Sequence, residues 1–417
     1  MNILTITNLY PPASIGGYEQ ACRDVTEGLR GRGHDVRVVT SDWRRFDVRD
    51  DEADVVRALR LRTSWADPAF RKHGLGAAFE SARIQSWNVK TLREEIARFS
   101  PDVVVIWNGL HLGAASLIEA EKMPTAYYLS DLWVEGLASA HASQCGARRL
   151  VRSAVQQWLT GTAAALRLAD GVYCSRALRD QYAEGGVRFA RETVIYHGID
   201  PAHFPERDPH IAGRGSQPER ILYVGQVVPE KGVLTLIRGL ALLRQSVGHE
   251  QARLTIAGSV RNPAFAASLE SEIESHHLRD AITIGPKPRS ELPDIYGSHD
   301  VLAFTSEWAE PFSLTLLEAM ASAIPVVSTL RGGSAEIVRD GENALVFEAG
   351  DPADLAAKLG TMLSDPERAS KMATRAARTV RTSFTLERQV SQVEQHLLDV
   401  TSRSAYKPDV GFTATHE

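Results

Sequence analysis

Between Asp300 and Thr329 the chain reads strand, loop, helix, strand, with two acids placed where such a unit can use them. Asp300-Val301-Leu302-Ala303-Phe304 and Ile324-Pro325-Val326-Val327-Ser328-Thr329 are short apolar runs of the kind that form strands covered on both faces. Between them lies Glu310-Pro311-Phe312-Ser313-Leu314-Thr315-Leu316-Leu317-Glu318-Ala319-Met320-Ala321, in which Phe312, Leu316 and Met320, joined by Leu317 and Ala321, share one helical face. Proline favours the opening position of a helix, so Glu310 is expected at the cap and the helix is expected to begin at Pro311. Leu314, Thr315 and Glu318 then fall on another side. A bare helix N-terminus carries about half a positive charge, which makes the amides of Ser313, Leu314 and Thr315 a candidate phosphate site. Glu318, a turn further in, becomes a candidate acceptor for a ribose diol. A glutamate at a helix start is also ordinary dipole compensation, and a mid-helix glutamate is ordinarily solvated. Position favours the ligand reading: both acids follow the carboxyl end of a strand, where open parallel sheets bind ligands.

The same unit recurs along the chain. The first strand, Met1 to Thr7, leads through Pro11 and Pro12 to Gly16-Gly17-Tyr18-Glu19, a helix to about Gly31 and a second strand, His34 to Thr40. Paired glycines before a helix let backbone approach a ligand closely, and a tight turn with no ligand explains them equally well. Asp102 to Trp107 is a strand followed by Asn108-Gly109-Leu110-His111, and Thr125 to Leu129 is followed by Ser130-Asp131, so His111 and Asp131 are candidates at one rim. A helix is expected around Arg148 to Leu168, with strands at Gly171 to Cys174 and Thr193 to Tyr196. After His197-Gly198-Ile199-Asp200 a polar run through His210, Gly213, Gly215 and Pro218 reads as a linker. The pattern restarts with Arg220 to Gln226 and Pro229-Glu230-Lys231-Gly232, where a lysine at a helix start suits a diphosphate. Leu254 to Gly258, Ile282 to Pro286 and the glycine turn Leu330 to Glu336 complete it.

The fold class is therefore α/β, with two doubly wound Rossmann-like domains. A chain of 417 residues exceeds the size at which one core keeps growing. The expected division is 1–203 for the first domain, 204–384 for the second, a helix at 385–404 packing back on the first, and a frayed tail at 405–417. A net charge of -5 argues against a nucleic-acid-coating protein. Cys22, Cys145 and Cys174 are dispersed, so no zinc site or disulfide framework is indicated and a cytoplasmic location is expected. No run approaches the ~20 apolar residues of a membrane span. From Val55 to Arg98 basic residues mix with Trp65, Phe70, Phe79 and Trp87, which suits peripheral contact with a membrane or a phosphorylated acceptor, and more ordinarily a solvated helical face.

These motifs together resemble family 4 of the glycosyltransferases, of the GT-B fold, over nearly the whole chain. The most specific match is Glu310 and Glu318 with seven residues between them, continued by Ala319-Met320-Ala321-Ser322-Ala323-Ile324-Pro325-Val326-Val327. Gly16-Gly17-Tyr18-Glu19, Gly198-Ile199-Asp200 and Glu230-Lys231-Gly232 are similar to further motifs of the family, in the right order. The resemblance implies an NDP-sugar donor, with UDP or GDP the default, in a cleft that the two domains face. Glu318 would hold the ribose. Lys231 and the amides of Ser313, Leu314 and Thr315 would hold the diphosphate, and Glu310 would contact the transferred sugar. Gly285 and Pro286 would face the base, Gln226 would stand in the donor-domain turn, and Gly16 and Gly17 would approach the phosphates. Asp131 would lie near a saccharide, lipid-linked or small-molecule acceptor. The resemblance further implies retention at the anomeric carbon, no metal and no cofactor beyond the NDP-sugar substrate. Three positions depart from the pattern: Gln226 stands where arginine is common, Ser130 where histidine is usual, and Ser313 where glycine is frequent. The competing readings are an NDP-sugar epimerase or hydrolase and a catalytically silent scaffold. A dinucleotide oxidoreductase is disfavoured, because neither half carries Gly-x-Gly-x-x-Gly.

Overall fold

The computed structural model describes residues 1–43, 52–63, 75–134, 166–206 and 219–405. Cys145, the polar linker, most of the helix expected at Arg148 to Leu168 and the tail from 406 lie outside the described residues. Contacts divide the chain into two compact units. One holds the described residues of Met1–Cys174, Arg179–Ile195 and Val390–Glu417, and the other holds Ser175–Leu178 and those of Tyr196–Gln389.

In the first unit the elements are β1 (Asn2–Thr7), α1 (Tyr18–Gly31), β2 (Asp35–Ser41), β3 (Val55–Leu59), α2 (Leu75–Phe99), β4 (Val103–Asn108), α3 (Ala114–Ala120), β5 (Thr125–Leu129), β6 (Asp170–Tyr173), α4 (Arg176–Glu184) and β7 (Arg191–Val194). The first turn of α4 belongs to the second unit. The strands make one parallel sheet in the order β3-β2-β1-β4-β5-β6-β7. Both faces of its centre are covered, which is why every residue of β4 and β5 is buried and those strands lack alternation. Strand order reverses between β1 and β4, so the loops after them diverge and leave a crevice at their carboxyl ends. The basic stretch expected to form a solvated face supplies β3 and α2. Several of its cations have internal partners: Arg57 donates to the carbonyls of Tyr10 and Pro11, Arg62 to Ser81, and Arg60 lies 3.9 Å from the Trp87 ring centroid.

The second unit contains β8 (Arg220–Val224), α5 (Val233–Leu243), β9 (Arg253–Ala257), α6 (Pro263–Ser275), β10 (Ile282–Gly285), α7 (Leu292–Ser298), β11 (Val301–Phe304), α8 (Leu314–Ala321), β12 (Val326–Ser328), β13 (Leu345–Val346), α9 (Pro352–Ser364) and α10 (Pro366–Ser383). Its sheet is parallel in the order β10-β9-β8-β11-β12-β13, with the reversal between β8 and β11. The unit takes up the chain at Tyr196 rather than at 204, because Ile199 bridges Thr385 and Gly198 donates to Gln389, which ties the hinge motif into this unit. The last helix, α11 (Leu386–Ala405), passes from the second unit to the first at Val390. Val390, Val393, Leu397 and Val400 make its buried stripe, Glu394 pairs with Arg32 and His34, and Arg403 pairs with Asp170.

Candidate active site

The reversal of strand order in the second unit brings two loops side by side, one after β8 and one after β11, and the strongest candidates meet there. Lys231 ends a short 3₁₀ turn, Pro229–Lys231, which Gly232 closes at φ 67° before α5 begins. A Cβ at Gly232 would stand 2.0 Å from the carbonyl oxygen of Thr305, so glycine is what lets the two loops touch. The Lys231 ammonium donates to Oε1 of Glu310, and the Ser306 hydroxyl donates to the same oxygen at 2.7 Å. Glu310 is 6% exposed, and Lys231 also lies 5.1 Å from the centroid of the Trp308 ring. A buried acid, its counter-charge and a hydroxyl thus share one point at the carboxyl end of the sheet.

Helix α8 corrects the expectation for its start. It begins at Leu314, not Pro311, and Ser313, not Glu310, is the cap: its hydroxyl accepts from the amide of Leu316 at 3.2 Å. Glu310 is extended instead, because its backbone bridges Gly332 and its carbonyl accepts from the amide of Gly333. Proline at position 311 therefore closes a strand-like segment. Ser313 Oγ and its carbonyl satisfy Leu316 and Leu317, and the first-turn amides of Leu314 and Thr315 have no acceptor within the helix.

Glu318, expected on a side of the helix apart from the Phe312, Leu316 and Met320 face and turned toward a ligand, is buried at 2% exposure. Its Oε2 accepts from the Tyr296 hydroxyl at 3.0 Å and its Oε1 lies 2.6 Å from Nη1 of Arg289. Both partners come from the segment that follows β10, so no spacing within α8 announces them. Gly285 ends β10, the edge strand, and Pro286 follows it; the Gly285 carbonyl accepts from the amide of Gly258. Gln226 is exposed, and its backbone carbonyl accepts from the Tyr223 hydroxyl at 2.7 Å. His197 of the hinge motif is fully enclosed, and burial pushes its imidazole down to about 3, so it stays neutral at ordinary pH.

The first unit has its own cluster at the β1/β4 reversal. Asn8 donates its amide to the carbonyl of Asn108, and Asn8 Oδ1 accepts from the Tyr18 hydroxyl at 2.8 Å. Asn108 donates through Nδ2 to Oδ2 of Asp131 at 3.2 Å, and the Trp133 amide donates to Oδ1 at 3.1 Å. Burial pushes the Asp131 carboxyl up to about 6, and those two donors hold it back from rising further. Gly17 precedes α1 as its cap, and Glu19, fully buried, accepts the amides of Ile15 at 2.8 Å and Gly16 at 3.0 Å. The glycine loop is thus held from below by a carboxylate that sequence reading gave no role. His111 occupies a turn at φ 70°, where its carbonyl accepts from the amide of Arg62. Among the described residues, no group of three or more His, Cys, Asp or Glu side chains could hold a metal ion, and no helix is long and apolar enough to cross a membrane.

Two loops meeting at the reversal point of a parallel sheet, beside a helix tip, are what a glycosyl-donor unit needs, and comparison with known proteins agrees. Residues 206–379 match the model described as glycosyl transferases group 1, and residues 15–203 match glycosyltransferase family 4. The chain is 29% identical over 406 residues to a glycogen synthase of Mycobacterium tuberculosis, covering 92% of this chain and 91% of that one. It is 30% identical over 267 residues to the lipopolysaccharide core biosynthesis mannosyltransferase LpcC of Rhizobium leguminosarum bv. viciae, covering 62% of this chain and 73% of the relative. Anabaena HepE, solved in complex with UDP-glucose, superposes with a TM-score of 0.68 at 19% identity over 96% of this chain and all of that one. The chain belongs to family 4 of the glycosyltransferases. It is a transferase with the GT-B pair of Rossmann-like domains.

Proposed function

We propose that this enzyme transfers a hexose from an NDP-sugar to an acceptor hydroxyl, with retention at the anomeric carbon. The observation that carries the reading is the Lys231, Glu310 and Ser306 cluster beside the first turn of α8. The diphosphate lies against the amides of Leu314 and Thr315 and the Lys231 ammonium. As the bond from anomeric carbon to phosphate oxygen breaks, its electron pair stays on the diphosphate, and those fixed donors stabilise the added charge with no metal called upon. The Glu310 carboxylate faces the sugar as positive charge builds on it. The acceptor oxygen bonds to the anomeric carbon from the side the diphosphate leaves, and its proton passes to a departing phosphate oxygen. Asp131, in the first unit, accepts a hydrogen bond from a second hydroxyl of the acceptor. UDP and GDP donors are the default for the family. The acceptor is a saccharide, a lipid-linked saccharide or a small metabolite. The protein works in the cytoplasm, in peripheral contact with a membrane if the acceptor is lipid-linked.

Incubation with a panel of UDP-, GDP-, ADP- and dTDP-sugars is expected to release NDP from at least one donor, and faster when acceptors are present. Release at the same rate without acceptor would mean a hydrolase or, with a new sugar formed, an epimerase; binding with no release would mean a scaffold. A thermal-shift screen against the free diphosphates selects the nucleotide, since a ligand at about 100 times its Kd stabilises the fold by ~2.7 kcal/mol.

Asp131 gives a pH test. Its carboxyl is protonated below about 6, and the anion is the stronger acceptor of a bond from that hydroxyl. Turnover is expected to rise as pH passes upward through about 6 and then level. Asp131→Asn is expected to be slower by about 10- to 100-fold and to lack that limb. An unchanged limb in the variant would assign it to another group.

A further inference from the structure

Glu318 is closed off by a side chain that is itself open. The acid's side chain is 3% exposed and that of Arg289, lying over it, is 40% exposed. Tyr296 and Arg289, two of the carboxylate's partners, differ in how firmly they are held. Tyr296 sits on α7, wholly buried, with the Phe204 ring 6.1 Å away. Arg289 opens a short 3₁₀ turn, Arg289–Glu291, after β10, and besides Glu318 it faces the Phe204 ring at 6.0 Å. A carboxylate withdrawn from water needs charged or hydrogen-bonded partners, and in this arrangement the hydroxyl meets one oxygen and the guanidinium the other. A vicinal diol cannot reach an acid at that exposure until its cover moves. Tyr296 cannot leave without opening the core. Arg289 can, because its own guanidinium is 40% exposed and water solvates it where it goes, while the diol hydroxyls take its place on the buried carboxylate.

We propose that Arg289 is a placeholder on the ribose site, an arm that holds Glu318 in its ligand-free position and must yield its oxygen to the ribose diol when a nucleoside diphosphate binds. The proposal rests on the reading of Glu318 as the ribose acceptor and adds to it a cost built into every binding event. If the arm lies over the acid in most molecules, apparent affinity is reduced by the fraction in which it does not. Removing the arm raises affinity, and it does so only while Glu318 is present.

The test is a four-protein cycle: the wild type, Arg289→Ala, Glu318→Gln and the double variant, each titrated calorimetrically with UDP and GDP. Arg289→Ala is expected to tighten the preferred diphosphate by about 3- to 10-fold, the gain for a competent fraction on the order of a tenth to a third. In the Glu318→Gln background the same change is expected to do nothing. Glu318→Gln alone is expected to weaken binding; if it does not, the ribose reading falls and the placeholder with it. If Glu318→Gln weakens binding while Arg289→Ala leaves affinity unchanged, only the placeholder is overturned. Weaker binding by Arg289→Ala in both backgrounds also overturns it, showing a direct contact between arginine and nucleotide. Arg289→Gln, which keeps a donor without the charge, repeats the cycle should the alanine variant fail to fold, and no gain in affinity there counts against the proposal.

Discussion

Lys231→Ala is expected to lower kcat by about 100- to 1000-fold, the usual loss when a fixed donor to a developing negative charge is removed. It is also expected to destabilise the second unit by about 3 kcal/mol, for a separate reason: Glu310 is 6% exposed and would be left with the Ser306 hydroxyl and no cation beside it. The two effects can be pulled apart. In a Lys231→Ala/Glu310→Gln protein the uncompensated charge is gone, so the urea midpoint is expected to return most of the way to wild type while turnover stays low. Recovery of turnover along with stability would reduce Lys231 to a structural counter-ion and remove it from the mechanism. Lys231→Arg is not a neutral control, because a planar guanidinium presents forked donors where the ammonium is a compact point charge.

What the sequence disclosed and what it hid divide along a physical line. Strand runs such as Val103 to Ile106, and glycine turns such as Gly225 and Gly232, express local requirements, namely burial on both faces and a backbone in the left-handed region, so they can be read one segment at a time. From their repetition the two parallel sheets follow, and with them the position of Lys231 and Glu310 at a strand-order reversal. The start of α8 is not legible locally, because two local signals compete there. Proline after glutamate suggests a cap, and so does Ser313, three residues before the amide of Leu316 that it accepts. The bridge between Glu310 and Gly332 decides between them, and it is long-range. The covering of Glu318 by Arg289 and Tyr296 and the support of Gly16 by Glu19 were invisible for related reasons. A carboxylate's partners are chosen by packing, and glutamate on a helix looks the same in sequence whether it faces solvent or a buried tyrosine.

Because that long-range bridge sets Glu310, substitution at Gly332 should disable the site without touching any group that meets substrate. Gly332 sits at φ 60° and ψ -134°, a conformation open to glycine almost alone. A Cβ there would lie 2.3 Å from the carbonyl oxygen of Glu310 and 2.7 Å from its nitrogen, and these are backbone atoms with no rotamer to yield. The turn has to move, and the amide of Gly333 then loses the Glu310 carbonyl. Gly332→Ala is expected to cost about 3 kcal/mol or more and to lower the melting temperature by roughly 6 to 12 °C. Turnover is expected to fall about 100-fold, since a carboxylate displaced by an ångström loses its alignment with the sugar. Gly341→Ala separates the two causes. Gly341 has φ 72° and nothing within 4 Å of its added Cβ, so alanine there brings backbone strain alone, on the order of 1 kcal/mol, with turnover intact. If the two variants melt alike and both turn over normally, close approach to Glu310 is not what Gly332 provides, and the acid must be positioned by Lys231 and Ser306 without help from the backbone.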